Sequence, residues 1–195
     1  MNNYEYIIAS LPVLQRDSRA PEGFSAEAVE EEIRSQLDER DCRIFDFLLS
    51  GFQPESLDGE FYRKAAGSPS RFVREYFNCD LAVRNARVRW LNSALGRAAE
   101  QDTVETEQEE DPELVSGVLS ILSGNDILER ERGLDNLMWE KIEDITVMEV
   151  FSLDLILAFT ARLKIVDRWL KLDPETGRAL FRKLVEEIRN NRQTK

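Results

Sequence analysis

The stretch Val150–Lys171, VFSLDLILAFTARLKIVDRWLK, contains neither Gly nor Pro and constrains the fold more than any other part of the chain. Apolar residues recur at Leu153, Ile156, Phe159, Leu163, Val166 and Leu170, at helical steps of three and four. A second apolar row, Leu155, Ala158, Ile165 and Trp169, lies on another side of the same helix. A helix apolar on more than one side must be covered on more than one side, so this stretch predicts a central helix with other elements packed around it. Its basic residues Arg162, Lys164, Arg168 and Lys171 crowd the C-terminal half, where the helix dipole favours cations.

The rest of the chain also reads as helical. Residues 2–14 carry Tyr4, Tyr6, Ile7, Ile8, Leu11 and Val13, and their spacing fits a short helix or an extended piece equally well. Residues 15–24 are turn-rich and polar. Ser25 is placed to cap a helix whose pattern resumes after Asp38–Asp41 and stops at Gly51, either one bent helix or two with a tight joint. Short helical pieces are expected at Phe61–Ala66 and, after a cap at Ser68 or Ser70, at Arg71–Phe77. Asp80 begins a stronger helix with Leu81, Val88, Leu91 and Leu95 on one face, ending at Gly96. Asn85 inside it costs helix propensity, which points to a hydrogen-bonding task or a solvated position. Pro112 suits a helix start, Ser123-Gly124 a stop, and Asn125 or Asp126 a new cap. Asp144-Ile145-Thr146 reads as a short joint. A last helix starts at Asp173-Pro174, with the stripe Leu180, Phe181, Leu184, Val185 and Ile188. No strand-like alternation of any length appears. The expectation is an all-α, irregular helical bundle of about seven or eight helices in two lobes. Residues 98–112, rich in Glu and Asp and lacking Lys and Arg, read as a mobile acidic linker between an N-terminal lobe, 1–97, and a C-terminal lobe, 113–195.

Charge narrows the function classes. A net charge of −12 argues against nonspecific nucleic-acid binding and against a polybasic membrane role. The chain has no histidine, which removes the commonest general base and metal ligand. Cys42 and Cys79 stand apart and read as reduced packing residues. No run reaches the ~20 apolar residues of a membrane span. The N-terminal MNNYEYIIASLPVL has no basic region of a signal peptide, so a cytoplasmic location is expected. Phosphate-loop, dinucleotide, zinc-protease and serine-elbow motifs are absent.

Two stretches carry a family resemblance: YFNCDLAVRNARVRWLNSALGR at Tyr76–Arg97 and LDLILAFTARLKIVDRW at Leu153–Trp169. They resemble the repeat helices of the stalk-to-rotor coupling protein of V/A-type ATPases, the C-type subunit (d-type in eukaryotic enzymes). Asp80 and Asn85 loosely match the acid and amide that precede a basic helix in that family. Ile156, Ala158, Phe159, Leu163 and Arg168 echo its late helix, with Phe in place of Tyr. YEYIIASLPVL and LDPETGRALFRKLVEEI also resemble an uncharacterised bacterial family associated with V-type ATPase operons that lack an ordinary coupling protein of this type. The chain is shorter than the three-repeat coupling protein, so fewer repeats are expected, with the two matched helices in equivalent places of two related bundles. The resemblance implies a noncatalytic subunit or assembly factor that links central stalk and membrane rotor ring, with no cofactor. Asp80, Arg84, Asn85, Arg89, Asp154, Arg162, Asp167 and Arg168 are then the candidate partner-binding residues. The alternative is a helical protein–protein adaptor unrelated to ATPases.

Overall fold

The computed structural model describes residues 4–16, 24–105 and 109–172. They form α1 Tyr4–Ser10, α2 Ala26–Gln36, α3 Glu39–Ser50, α4 Gly59–Ala66, α5 Arg71–Leu95, α6 Pro112–Leu122, α7 Ile127–Thr146 and α8 Leu153–Leu170, with a 3-10 turn at Pro54–Ser56. No strand occurs among the described residues, and the chain is the expected all-α irregular bundle. The helix expected from Asp173, with its stripe from Leu180 to Ile188, lies outside the described residues, as do residues 17–23 of the polar loop.

Capping chemistry sets most of the boundaries. Ser25, Asp38, Asp58, Ser70, Asp111, Asp126 and Ser152 each accept a hydrogen bond from a first-turn backbone N–H. Each satisfies a donor that no earlier helical carbonyl can reach. Asp38 thereby separates α2 from α3, so this region is two helices. Gly96 ends α5 at φ 65°, a left-handed conformation that glycine adopts without a Cβ clash.

Two expected boundaries are corrected. α5 is one continuous helix of 25 residues, not a short piece followed by a helix from Asp80. Nothing between Phe77 and Asp80 interrupts its ladder, and the Asp80 carboxylate accepts from Tyr62 and Arg84 instead of capping a helix. α7 runs through Asp144-Ile145-Thr146, the expected joint, because Ile145 and Thr146 are buried against the bundle. The turn falls instead at residues 147–152.

α8 sits at the centre. Ile156, Leu157, Ala158, Phe159, Thr160 and Ala161 are consecutive and all buried, so this helix is enclosed on every side. It packs against α1, α2, α3, α5 and α7. α5 is the second organiser, packing against α4, α6, α7 and α8. At its N-terminal half Phe47, Phe61 and Phe77 form a ring cluster, with Phe61 4.8 Å from each of the other two. Each fully buried large apolar side chain contributes roughly 1.5–3 kcal/mol.

The expected division into lobes is not matched by separate cores. Ile7, Ile33 and Phe45 belong to the same buried cluster as Leu114, Val118, Ile142 and Ile156. The two helices that carry the family resemblance therefore pack on each other inside one core rather than standing at the centres of two bundles. Both are apolar on more than one side, and each covers the other.

Candidate interaction surface

The eight residues expected to meet a partner are mostly engaged within the chain. Asn85 is 3% exposed. Its Nδ2 donates to the Val104 carbonyl at 3.0 Å and its Oδ1 accepts from the Val104 N–H at 3.0 Å. This mid-helix amide thus pairs with an extended backbone as a neighbouring strand would. Two turns further along the same face, the buried Asn92 donates to the carbonyls of Ala99 and Gln101 at 3.1 and 2.6 Å. Arg89, between them, binds Glu100 at 3.0 Å and Glu110 at 2.7 Å. The described part of the acidic segment is therefore laid along α5 and tied to it, in place of the expected free linker. Asn92 carries the same signal in sequence as Asn85, a second amide inside an otherwise apolar helix.

Asp80 accepts from the Tyr62 hydroxyl and from Arg84 Nε, both at 2.7 Å. Burial, and then the facing carboxylate, push the Tyr62 hydroxyl well above the usual tyrosine range, so it stays a donor. Asp154, at the start of α8, accepts from the Ser70 hydroxyl at 2.6 Å and from the Phe72 N–H at 3.1 Å. A carboxylate on the first turn of α5 meets the positive end of that helix, so Asp154 clasps the starts of α5 and α8 together.

The other end of α8 is equally occupied. Asp167 pairs with Lys171 at 2.7 Å, and Lys171 reaches Glu27 of α2 at 2.8 Å. Arg168 pairs with Asp135 and lies 3.7 Å from Glu131. The Trp169 indole N–H donates to the same Asp135 at 2.5 Å, with Arg132 over its ring at 3.8 Å. Arg162 lies over the Trp139 ring at 5.6 Å, and its Nε has no hydrogen-bond partner. Burial lowers its proton affinity, which Glu143 partly offsets. All three tryptophans, Trp90, Trp139 and Trp169, carry an arginine against the ring.

A cleft of about 550 Å³ opens between α4, α5 and residues 104–105, lined by Tyr62, Arg63, Arg74, Asn78, Leu81 and Glu105 among others. Among the described residues no group of three His, Cys, Asp or Glu side chains is arranged to hold a metal ion. No described helix is long and apolar enough to cross a membrane.

An exposed apolar surface lies elsewhere, at the turn between α7 and α8. Val147, Met148, Val150 and Phe151 are 76%, 82%, 72% and 50% exposed. Phe151 has φ 48°, in the left-handed region that a bulky side chain rarely enters. The base of this tip is anchored on both sides. Thr146 is buried and its hydroxyl donates to the Ile142 carbonyl at 2.8 Å, while Ser152 caps α8 and Asp154 clasps α5. Periodicity concealed this site in part, because Val150 lies three residues before Leu153 and so extends the apolar row of the following helix. The available signal was the run of four apolar residues around Glu149, too long for a solvated joint.

A family model described as a protein of unknown function, DUF2764, matches residues 53–192, and the chain belongs to that family. No curated protein and no solved structure matches the chain.

Proposed function

We propose that this member of the DUF2764 family is a noncatalytic, cytoplasmic subunit or assembly factor of a V/A-type ion-translocating ATPase. In this reading it links central stalk and membrane rotor by protein contacts. The observation that carries the contact-based role is the apolar tip at Val147–Phe151, four large apolar side chains held in solvent on an anchored base. Contiguous exposed apolar patches of this kind mark protein–protein surfaces. The ATPase identity of the partner rests on the resemblance of residues 76–97 and 153–169 to the repeat helices of the ATPase coupling protein. Because Asp80, Asn85, Arg89, Asp154 and Arg168 already hold the chain's own elements, the tip takes over the docking role expected of them. The overall charge of −12 suits a partner with a basic rim around an apolar groove.

Co-purification from a host that carries the ATPase operon tests both parts. The tagged full chain is expected to retain head, stalk and rotor subunits, and the double variant Met148→Glu, Phe151→Glu to lose them while keeping its helical circular dichroism. A clean failure of the unaltered chain to capture those subunits removes the ATPase assignment. Capture unaffected by the double variant removes the tip as the docking surface.

A further inference from the structure

A second apolar patch lies at another part of the surface, and its place in the fold can be built from four contacts. Arg87 of α5 pairs with Glu131 of α7 at 2.8 Å, and Arg130 lies 5.0 Å over the Trp90 ring. Numbers rise along α5 as they fall along α7, so the two helices are antiparallel here. Leu91 and Leu95 follow Arg87 at steps of four, on one helical face. Ile127 and Leu128 precede Glu131 by four and three residues, again on one face. Both rows therefore run from the Arg87–Glu131 bridge toward the same end of the bundle. Leu91, Leu95, Ile127 and Leu128 are 49%, 63%, 75% and 62% exposed.

The end of α8 arrives at the same place. Arg168 reaches Glu131 at 3.7 Å, and Arg162 lies over Trp139, so α8 runs antiparallel to α7 and points toward Ile127 and Leu128 as it ends. The chain leaves this helix at Leu172, itself 57% exposed. Beyond it lie residues 173–195, whose sequence places Leu180, Phe181, Leu184, Val185 and Ile188 at helical spacing. The family match continues to residue 192, so this segment is part of the unit that defines the family.

We propose that residues 173–192 of the same chain cover the patch formed by Leu91, Leu95, Ile127 and Leu128, with the stripe from Leu180 to Ile188 as the covering face. The reach is sufficient. The chain from Leu172 to Leu180 can span up to about 26 Å when extended, whereas Glu131 and Ile127 are about 6 Å apart along α7. Charge favours the same occupant. Residues 173–192 carry five basic residues, Arg178, Arg182, Lys183, Arg189 and Arg192, against the four acids Asp173, Glu175, Glu186 and Glu187, a small positive excess in a chain of net charge −12, and the patch is bordered by the exposed acids Asp126 and Glu129. A covalently tethered segment also acts at high effective concentration, ahead of any free partner for the same surface.

Hydrogen–deuterium exchange on the full chain tests this without any other ATPase component, and so independently of the function proposed above. Amides of residues 91–95 and 127–131 are expected to be protected, together with 180–188. The double variant Phe181→Glu, Leu184→Glu is expected to speed exchange in all three segments by at least about tenfold. Exchange at Ile156–Ala161 in the core stays slow, which reports that the fold is kept. Ile127→Glu, Leu128→Glu is expected to release 180–188 in return. Unchanged protection at 127–131 in the Phe181, Leu184 variant overturns the proposal. So does protection that disappears on dilution together with a dimer-to-monomer shift in light scattering, because the occupant is then a second copy.

Discussion

Asn85 concentrates the consequences of a single side chain. It satisfies both backbone groups of Val104 from a position that is almost fully buried. Asn85→Ala leaves a donor and an acceptor without partners, and the expected cost is about 1–3 kcal/mol. Faster amide exchange in residues 100–105, read beside the denaturation midpoint, separates this effect from a general loss of stability. Asn85→Asp keeps the acceptor for the Val104 N–H but sets a buried carboxylate oxygen against the Val104 carbonyl, so at neutral pH it is expected to cost at least as much as the alanine. Gly51 is a different case of residue-scale constraint. A Cβ there would lie 2.2 Å from the Phe77 ring and 2.8 Å from the Phe61 ring. Both rings belong to the packed aromatic cluster and have little room to retreat. Gly51→Ala is expected to cost about 1–3 kcal/mol through overpacking, measured by urea denaturation.

At the scale of elements, the ends of α8 are held by two different devices. Asp154 ties its start to α5, and Lys171 ties its end to Glu27 of α2. Hydrogen bonding from Lys171 is the largest of the effects that hold the Glu27 carboxyl at about 2, below its ordinary value of 4.5. A carboxylate depressed in the folded state contributes stability that is present above the ordinary value and lost as pH falls toward the depressed one. The α2–α8 clasp is therefore expected to open as pH drops from about 4.5 to about 2. Side-chain NMR titration of Glu27 checks the value, and Glu27→Gln is expected to remove the corresponding step from acid unfolding. The α7–α8 tip carries the opposite balance. Phe151 adopts φ 48° while half exposed, so Phe151→Gly relieves backbone strain and gives up little packing. A gain of up to about 1 kcal/mol in stability is expected, together with weaker retention of the partner in co-purification. Stability and docking moving in opposite directions would identify Phe151 as a residue kept for contact.

For the whole molecule, the decisive fact is that one buried cluster runs from Ile7 to Leu163 and includes residues on both sides of the acidic segment. Two lobes with their own cores would unfold in two steps. A shared core predicts a single cooperative transition, with far-ultraviolet circular dichroism and tryptophan fluorescence coinciding across a urea titration. Trp90, Trp139 and Trp169 lie on α5, α7 and α8, so the fluorescence reports on the packing of these three helices. Separate midpoints for the two probes would reinstate the two-lobe organisation.

Local chemistry determined much of this protein without reference to anything distant. The caps at Ser25 and Asp126, the starts and stops at Pro112, Gly51 and Gly96, and the two-sided apolarity of Leu153–Leu170 depend on residues within a turn or two of each other. The all-α class and the central position of α8 followed from them. Three features were decided by tertiary structure alone. Asn85 and Arg89 found partners in the acidic segment, which a periodicity read along one helix cannot see. α5 and α8 buried their second apolar sides against each other, merging two expected lobes, because an apolar face specifies that it must be covered and not by what. And the apolar residues at 147–151 became surface because Asp154 and Thr146 pinned the flanking helices inside the bundle, leaving the turn between them nowhere to pack.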